Sequence, residues 1–247
     1  DEDAESWSCL WNSKYQGKLL MFDNPRDAFA IAESMLGYSF NTEDEQELKN
    51  CADLLATQSP VLQGYVMDQI FDRMERGEAW AAPYYAGDYL TMVEENPDLG
   101  FSHPKEGFNI FIDAMCIPKG CQNKAGAEAF INFLCRPDIS AANLDYIGYS
   151  TPETAAKDYL DEDVTSSPVS YPDDETLARS ESFAELGVGA TQTMNDLWLS
   201  VKTSTSNTTL YLVLTITAIA AVILFFLISG IIKRRKKARR CRKWRQT

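Results

Sequence analysis

Apolar positions along the chain form short runs that alternate with segments of helical period. GKLLMF (17–22) is a compact apolar run and predicts a strand. The next stretch, DNPRDAFAIAESMLG, predicts a helix over 25–36 from its punctuation. Asn24 suits the N-cap and Pro25 the first helical position, Asp27 faces the positive end of the helix dipole, and Gly37 suits the stop. A second helix is expected over 43–57, where Leu48, Cys51, Leu54 and Leu55 share a face, and a third over 65–76, ending at Gly77. AWAAPYY (79–85) reads as a strand, GDYLTMVEEN as the helix after it, and LGFSHP (99–104) as another short strand. Helices follow over 124–135 and through DISAANLDYIG, then a loop rich in Ser, Pro and Asp, then closing helices near 174–200. Strands alternating with helices predict an α/β fold with mostly parallel sheet.

NIFIDAMCIP (109–118) breaks the apolar pattern in one place. It reads as a strand with Ile110, Ile112, Met115 and Ile117 as apolar surface, yet it carries Asp113. A buried, unpaired carboxylate costs several kcal/mol or gives up its charge. Two readings are open: Asp113 lies at an exposed strand end, or a positive group meets it.

The C-terminal pattern is different. Residues 210–232, LYLVLTITAIAAVILFFLISGII, contain no charged side chain. At about 1.5 Å per residue they reach roughly 35 Å, enough for a hydrocarbon core of about 30 Å. A polar spacer, 201–209, precedes them, and the tail 233–247 carries ten Lys and Arg and no acid. Basic residues stay on the cytoplasmic side, so a single-pass membrane protein is expected, with residues 1–200 extracytoplasmic and the C-terminus inside. Without that tail the balance is 13 basic against 36 acidic residues, a net charge of −23. Such acidity disfavours nucleic acid and concentrates cations. The chain starts at Asp1 with no initiator Met and no signal peptide, so it is expected to be a fragment or processed product. An exported domain permits disulfides; Cys116 and Cys121 are close in sequence, though spacing does not fix pairing. The apolar context NFLC predicts a buried Cys135, and Cys241 in the basic tail is a candidate for acylation.

Catalytic signatures are missing: no GxSxG, no phosphate-binding Gly-rich loop, no HExxH, and a single histidine, His103. No cofactor or metal is expected. Binding chemistry is better represented. Phe111 and Asp113 alternate onto one face of a strand, Tyr84 and Tyr85 end another, and Asp23, Asn24 and Asp27 cluster at a strand-to-helix turn. Open α/β sheets bind ligands at the carboxyl ends of their strands, so these groups are candidates for one cleft. Rings beside carboxylates suit an alkyl ammonium ion, through charge-assisted hydrogen bonds and cation–π attraction of about 0.5–2 kcal/mol. Plainer roles stand beside these: Asp27 as a helix-capping acid, Tyr85 as core or rim.

SWSCLWNSKYQGKLLMFDNPRDAF, GEAWAAPYYAGDY, PKEGFNIFIDAMCIP, NKAGAEAFINFLCRPD, IGYSTPETA and YPDDETL occur in that order. Together they resemble the spermidine/putrescine-binding proteins of bacterial ABC transporters, from about residue 6 to about 187. Only the later part of that family's chain is covered. The resemblance implies a two-lobed clamp of the periplasmic-binding-protein type II class, incomplete at the N-terminus. Lobe two would take about 6–111 and 159–200, and the return into lobe one about 112–158. It implies ligand-binding roles for Asp113, Phe111, Tyr85, Asn24 and Asp27, and for Tyr149 of IGYSTP. The chain departs from the family where tryptophan is common, at Tyr85 and Phe111, and at Asn24, where a second carboxylate is common. The implied partners are a polyamine and ABC permease subunits, with the ATPase on a separate chain. Rival expectations are a binder of another small organic cation or amino-acid-like solute, and a sensory receptor ectodomain.

Overall fold

β1 (Leu19–Phe22) is the strand predicted from GKLLMF, and all four of its residues are buried. It pairs in parallel with β2 (Leu62–Val66), Met21 facing Tyr65 and Phe22 facing Val66. The computed structural model describes residues 2–205 and 216–217. Between β1 and β2 the chain makes α1 (Pro25–Leu36) and α2 (Glu45–Ala56). The punctuation of α1 acts as expected: the Asn24 side chain accepts from the Arg26 N–H, and Gly37 closes the helix in the left-handed region at φ 73°. In α2, Asp44 caps by accepting from the N–H groups of Gln46 and Glu47.

The remaining elements are α3 (Ile70–Glu75), α4 (Ala86–Glu95), β3 (Phe108–Ile110), α5 (Lys124–Leu134), α6 (Pro137–Ile147), α7 (Glu162–Thr165), α8 (Asp174–Leu177), β4 (Ser180–Ser182) and α9 (Val188–Thr205). β3 pairs with β4, again in parallel. Every strand pair among the described residues is therefore parallel, as the alternating pattern predicts.

Several elements differ from expectation. The helix predicted over 65–76 is a strand, a turn and then the shorter α3, because Tyr65 and Val66 complete the ladder with β1. AWAAPYY gives a single bridge, Leu19 to Ala81, since Pro83 has no N–H to continue it. Residues 99–104 form no strand. The strand predicted over 109–118 ends at Ile110, because its partner β4 is only three residues long. Residues 111–116, Asp113 included, are exposed. Cys135 is exposed rather than buried, at the end of α5, a helix with no buried residue. Val201, expected in the spacer, is 1% exposed and packs in the core, and α9 continues to Thr205.

One compact unit takes residues 1–201, and the chain beyond belongs to a second. The expected span 210–232, apart from 216–217, and the basic tail 233–247 with Cys241 lie outside the described residues. Among the described residues no helix is long and apolar enough to cross a membrane.

The main core gathers Leu19 and Met21 from β1, Phe29 and Ile31 from α1, Leu48, Cys51 and Leu55 from α2, and Met194, Trp198 and Val201 from α9. A smaller cluster, Leu20, Val66, Ile70, Ala79 and Met92, fills another side of the β1–β2 pair. α1 is buried over eight consecutive residues, Asp27 to Ser34, so its polar positions are enclosed with its apolar ones. Glu33 is one of them, 0% exposed, with no hydrogen-bond partner for either carboxylate oxygen. Burial pushes its carboxyl up to about 8, against the pull of Arg26, and the acids Glu181 and Glu47 push the same way. A folded-state value above the unfolded one makes the protein most stable below the unfolded value, with stability lost as pH rises toward about 8. Glu33→Leu is therefore expected to raise stability by about 2 kcal/mol or more at pH 8, with a smaller gain at pH 5. Urea unfolding at the two pH values measures this, and an equal gain at both would contradict the assignment.

Candidate ligand cleft

The start of α1, the start of α4, the chain leaving β3 and the loop after α6 meet at one cleft of about 330 Å³. Asn24, Asp27, Tyr85, Phe111, Asp113 and Tyr149 all line it. A larger cavity of about 810 Å³ shares five of these six, all but Asn24.

Each residue has a local reason for its place. Asn24 and Asp27 flank the first turn of α1, fixed by the N-cap bond and by Pro25. Tyr85 is the residue before α4, in extended conformation, and its hydroxyl donates to Asp27 Oδ2 at 2.9 Å. Burial raises the Asp27 carboxyl, while that hydrogen bond, Arg26 and Asn24 hold it back. Burial and the neighbouring Asp27 push the Tyr85 phenol up, so it stays a neutral donor. The rings form a connected wall. Tyr85 stands edge-on to Phe111 at 5.6 Å between centroids, and Phe111 edge-on to Tyr149 at 6.1 Å. Behind Tyr85, Tyr84 lies at 4.9 Å and Phe22 at 5.4 Å. Asp113 is in the exposed stretch after β3, at the cleft rim, which agrees with the first of the two open readings, an exposed strand end.

Tyr149 is placed by a close approach. Gly148, at φ 76°, ends α6 and sits against Gly87, whose carbonyl oxygen would lie 2.9 Å from a side chain at 148. The Tyr149 ring lies on Gly87, where an added Cβ would meet ring carbons at 2.2 Å. Asp88 faces the Tyr149 phenol, and burial and that acid push the phenol up.

Four residues at or beside the cleft lay outside the sequence expectation. Asn109 lines it, and the same alternation that links Phe111 and Asp113 reaches it. Asp88 acts through Tyr149, and its signal was a first-turn acid in α4. Arg26 lines the cleft with its guanidinium over the Phe183 ring at 4.6 Å, and Phe183 lines it too. Nothing in the pattern around Phe183 marks it, because tertiary packing alone brings it there.

The sequence matches the family model of bacterial extracellular solute-binding proteins over residues 3–178. The chain belongs to that family. It is 32% identical over 189 residues to the spermidine/putrescine-binding periplasmic protein of Escherichia coli, covering 76% of this chain and 54% of that protein. A putrescine-binding periplasmic protein of Pseudomonas aeruginosa is 27% identical over 210 residues, covering 81% and 57%. The crystal structure of a spermidine/putrescine ABC transporter substrate-binding protein from Streptococcus pneumoniae superposes with a TM-score of 0.73 at 32% identity, covering 82% of this chain and 62% of that one. The fold is therefore periplasmic-binding-protein-like, and the chain spans about half the length of the curated relatives it matches.

The Gly87 contact sets a test of the geometry. Gly87→Ala is expected to cost about 1–3 kcal/mol in chemical denaturation, because a ring must leave its seat. Gly64→Ala, with nothing within 4 Å of the added carbon, is expected to stay within about 0.5 kcal/mol of the parent or gain slightly. Equal costs at the two positions would refute the close packing of Tyr149.

Proposed function

We propose that this chain is the ligand-binding part of a polyamine importer of the ABC type, and that it does no covalent chemistry. The observation that carries the reading is the convergence of three rings and two carboxylates on one cleft: Tyr85, Phe111 and Tyr149 with Asp27 and Asp113. The names of its relatives support the ligand class. In this reading the amine chain lies along the aromatic wall, and Asp27 and Asp113 take its ammonium groups. Asn24 adds a neutral acceptor, so this cleft balances less positive charge than one with a carboxylate there.

The clamp has two lobes, about 6–111 with 159–200 on one side and about 112–158 returning to the other. The permease is a membrane partner, and the ATPase is a separate chain. The binding domain is extracytoplasmic and tethered by 210–232, with the basic tail inside. The exposed apolar side chains of 111–115 and of α5, Phe130 and Phe133 among them, support a return segment that further chain of the clamp covers.

Arg26 favours a second reading. A guanidinium in the cleft wall suits a solute that carries a carboxylate as well as an amine, hence an amino-acid-like ligand.

Calorimetric titration of the protein, with any chain that precedes Asp1, is expected to show micromolar or tighter spermidine or putrescine binding. Asp27→Asn and Asp113→Asn should each weaken it by about 2 kcal/mol, roughly thirtyfold. Unchanged affinity in both would sink the amine-pairing role, and preference for an amino acid over both polyamines would favour the second reading. The tether has its own test. In a host membrane preparation the protein should stay in the pellet after an alkaline wash, and its release would count against a transmembrane anchor.

A further inference from the structure

Glu33 is not part of the cleft, yet it lies on the helix whose first turn forms one wall. Seven residues separate it from Arg26, which puts both within about 20° of one line along α1. Both carry buried atoms without partners: the two oxygens of Glu33 and Nη1 of Arg26. The other terminal nitrogen of Arg26 donates to Asn41 Oδ1 at 2.8 Å and to the Ala184 carbonyl at 3.1 Å. Among the described residues no carboxylate lies within ion-pair distance of this guanidinium. The cleft therefore has a cation in its wall that is offset only at longer range.

The groups around Glu33 are few. α1 supplies Arg26, with Asp27 one residue further along, and α2 supplies Glu47 and the buried thiol of Cys51. β4 supplies Glu181, which accepts from the Ser39 hydroxyl, the Phe40 N–H and the Asn41 amide. The Tyr38 phenol accepts from Asn50. β1 and β3, which also pack on α1, carry no charged residue, and the turn at Trp7–Trp11 brings only Cys9. Among the described residues Arg26 is thus the one cation acting on this carboxyl, and burial is what keeps its proton on.

We propose that Glu33 couples ligand capture to proton release: a cation entering the cleft beside Arg26 favours the ionised form of Glu33, whose proton leaves to solvent. Six helical positions, an axial rise of about 9 Å, separate Asp27 from Glu33, and Arg26 beside Asp27 already acts on Glu33, so a further cation there lies within electrostatic reach. By linkage, the ionised carboxylate strengthens cation binding by the same factor by which the cation favours ionisation. The coupling rests on the polyamine reading, and it places regulation in the core behind the site. The carboxyl titrates at about 8, so the dependence falls between about pH 7 and pH 8.5.

Putrescine is the probe, because primary ammonium groups titrate near 10.4 and stay charged across this window. Titrated calorimetrically into the protein with any chain that precedes Asp1, it should bind roughly threefold more tightly at pH 8.5 than at pH 6.5. Near pH 8 the heat should vary with the ionisation enthalpy of the buffer, as release of a fraction of a proton requires. Glu33→Gln should still bind and should lose both effects. The proton count on the unmodified protein keeps the test independent of whether that variant folds. Binding with no pH dependence and no proton release overturns the coupling alone, and so does an unchanged proton count in Glu33→Gln. No heat from putrescine or from spermidine at either pH, from protein folded by circular dichroism, overturns the polyamine reading and the coupling with it.

Discussion

The enclosure of α1 is the constraint on which the rest depends. Eight consecutive residues of one helix are buried, so it has no solvent face over two turns. β1, α2 and α9 close around it, and only its first turn reaches the cleft. A helix held this way cannot shift to suit a ligand without disturbing the main core, because close-packed interiors resist small displacements. Asn24, Arg26 and Asp27 are therefore presented from a rigid base. The same enclosure explains the cost that α1 carries, since a polar residue at position 33 has nowhere to go but inward.

The opposite wall is built differently. Tyr149 comes from the loop after α6 and rests on Gly87 at the start of α4, with Asp88 facing its phenol. Phe111 comes from irregular chain beyond β3, and it touches both Tyr85 and Tyr149 edge to edge. One wall is thus core helix and the other is loop, joined by aromatic contacts and by the hydrogen bond from Tyr85 to Asp27. This asymmetry suits a binding site, where loops carry recognition and a stiff scaffold positions them.

Local signals in the sequence made β1, α1 and α2 legible: an unbroken apolar run for β1, a proline just inside the start, a first-turn acid and a glycine at the stop for α1, and one apolar face for α2. Helix-like spacing in YVMDQIFDRM hid the end of β2, whose strand character comes from its partner β1. β4 was unreadable, because Ser-Glu-Ser has no apolar pattern and pairs only through its backbone. For Asp113 the structure favours one of the two readings left open, an exposed strand end. The stretch around it is exposed irregular chain, so the charge needs no burial to explain it, yet it still lies at the cleft. Asn24, Asp27, Tyr85, Phe111, Asp113 and Tyr149 were named from ordered motifs, and the fold brings all six to one place. Arg26 and Phe183 were missed because their meeting spans 157 positions of chain and no spacing rule reaches that far.

Cys51 carries a consequence of a different kind. It is fully buried, and burial pushes its thiol up to about 12, whereas Cys116 and Cys135 are exposed. Thiolate is the species that alkylating reagents attack, so Cys51 is silent as long as the core around α1 stays shut. Its labelling rate then reports openings of that core, while the exposed thiols react at once and set the scale. The molecule thus holds an internal clock for the motion of the helix on which its cleft is built.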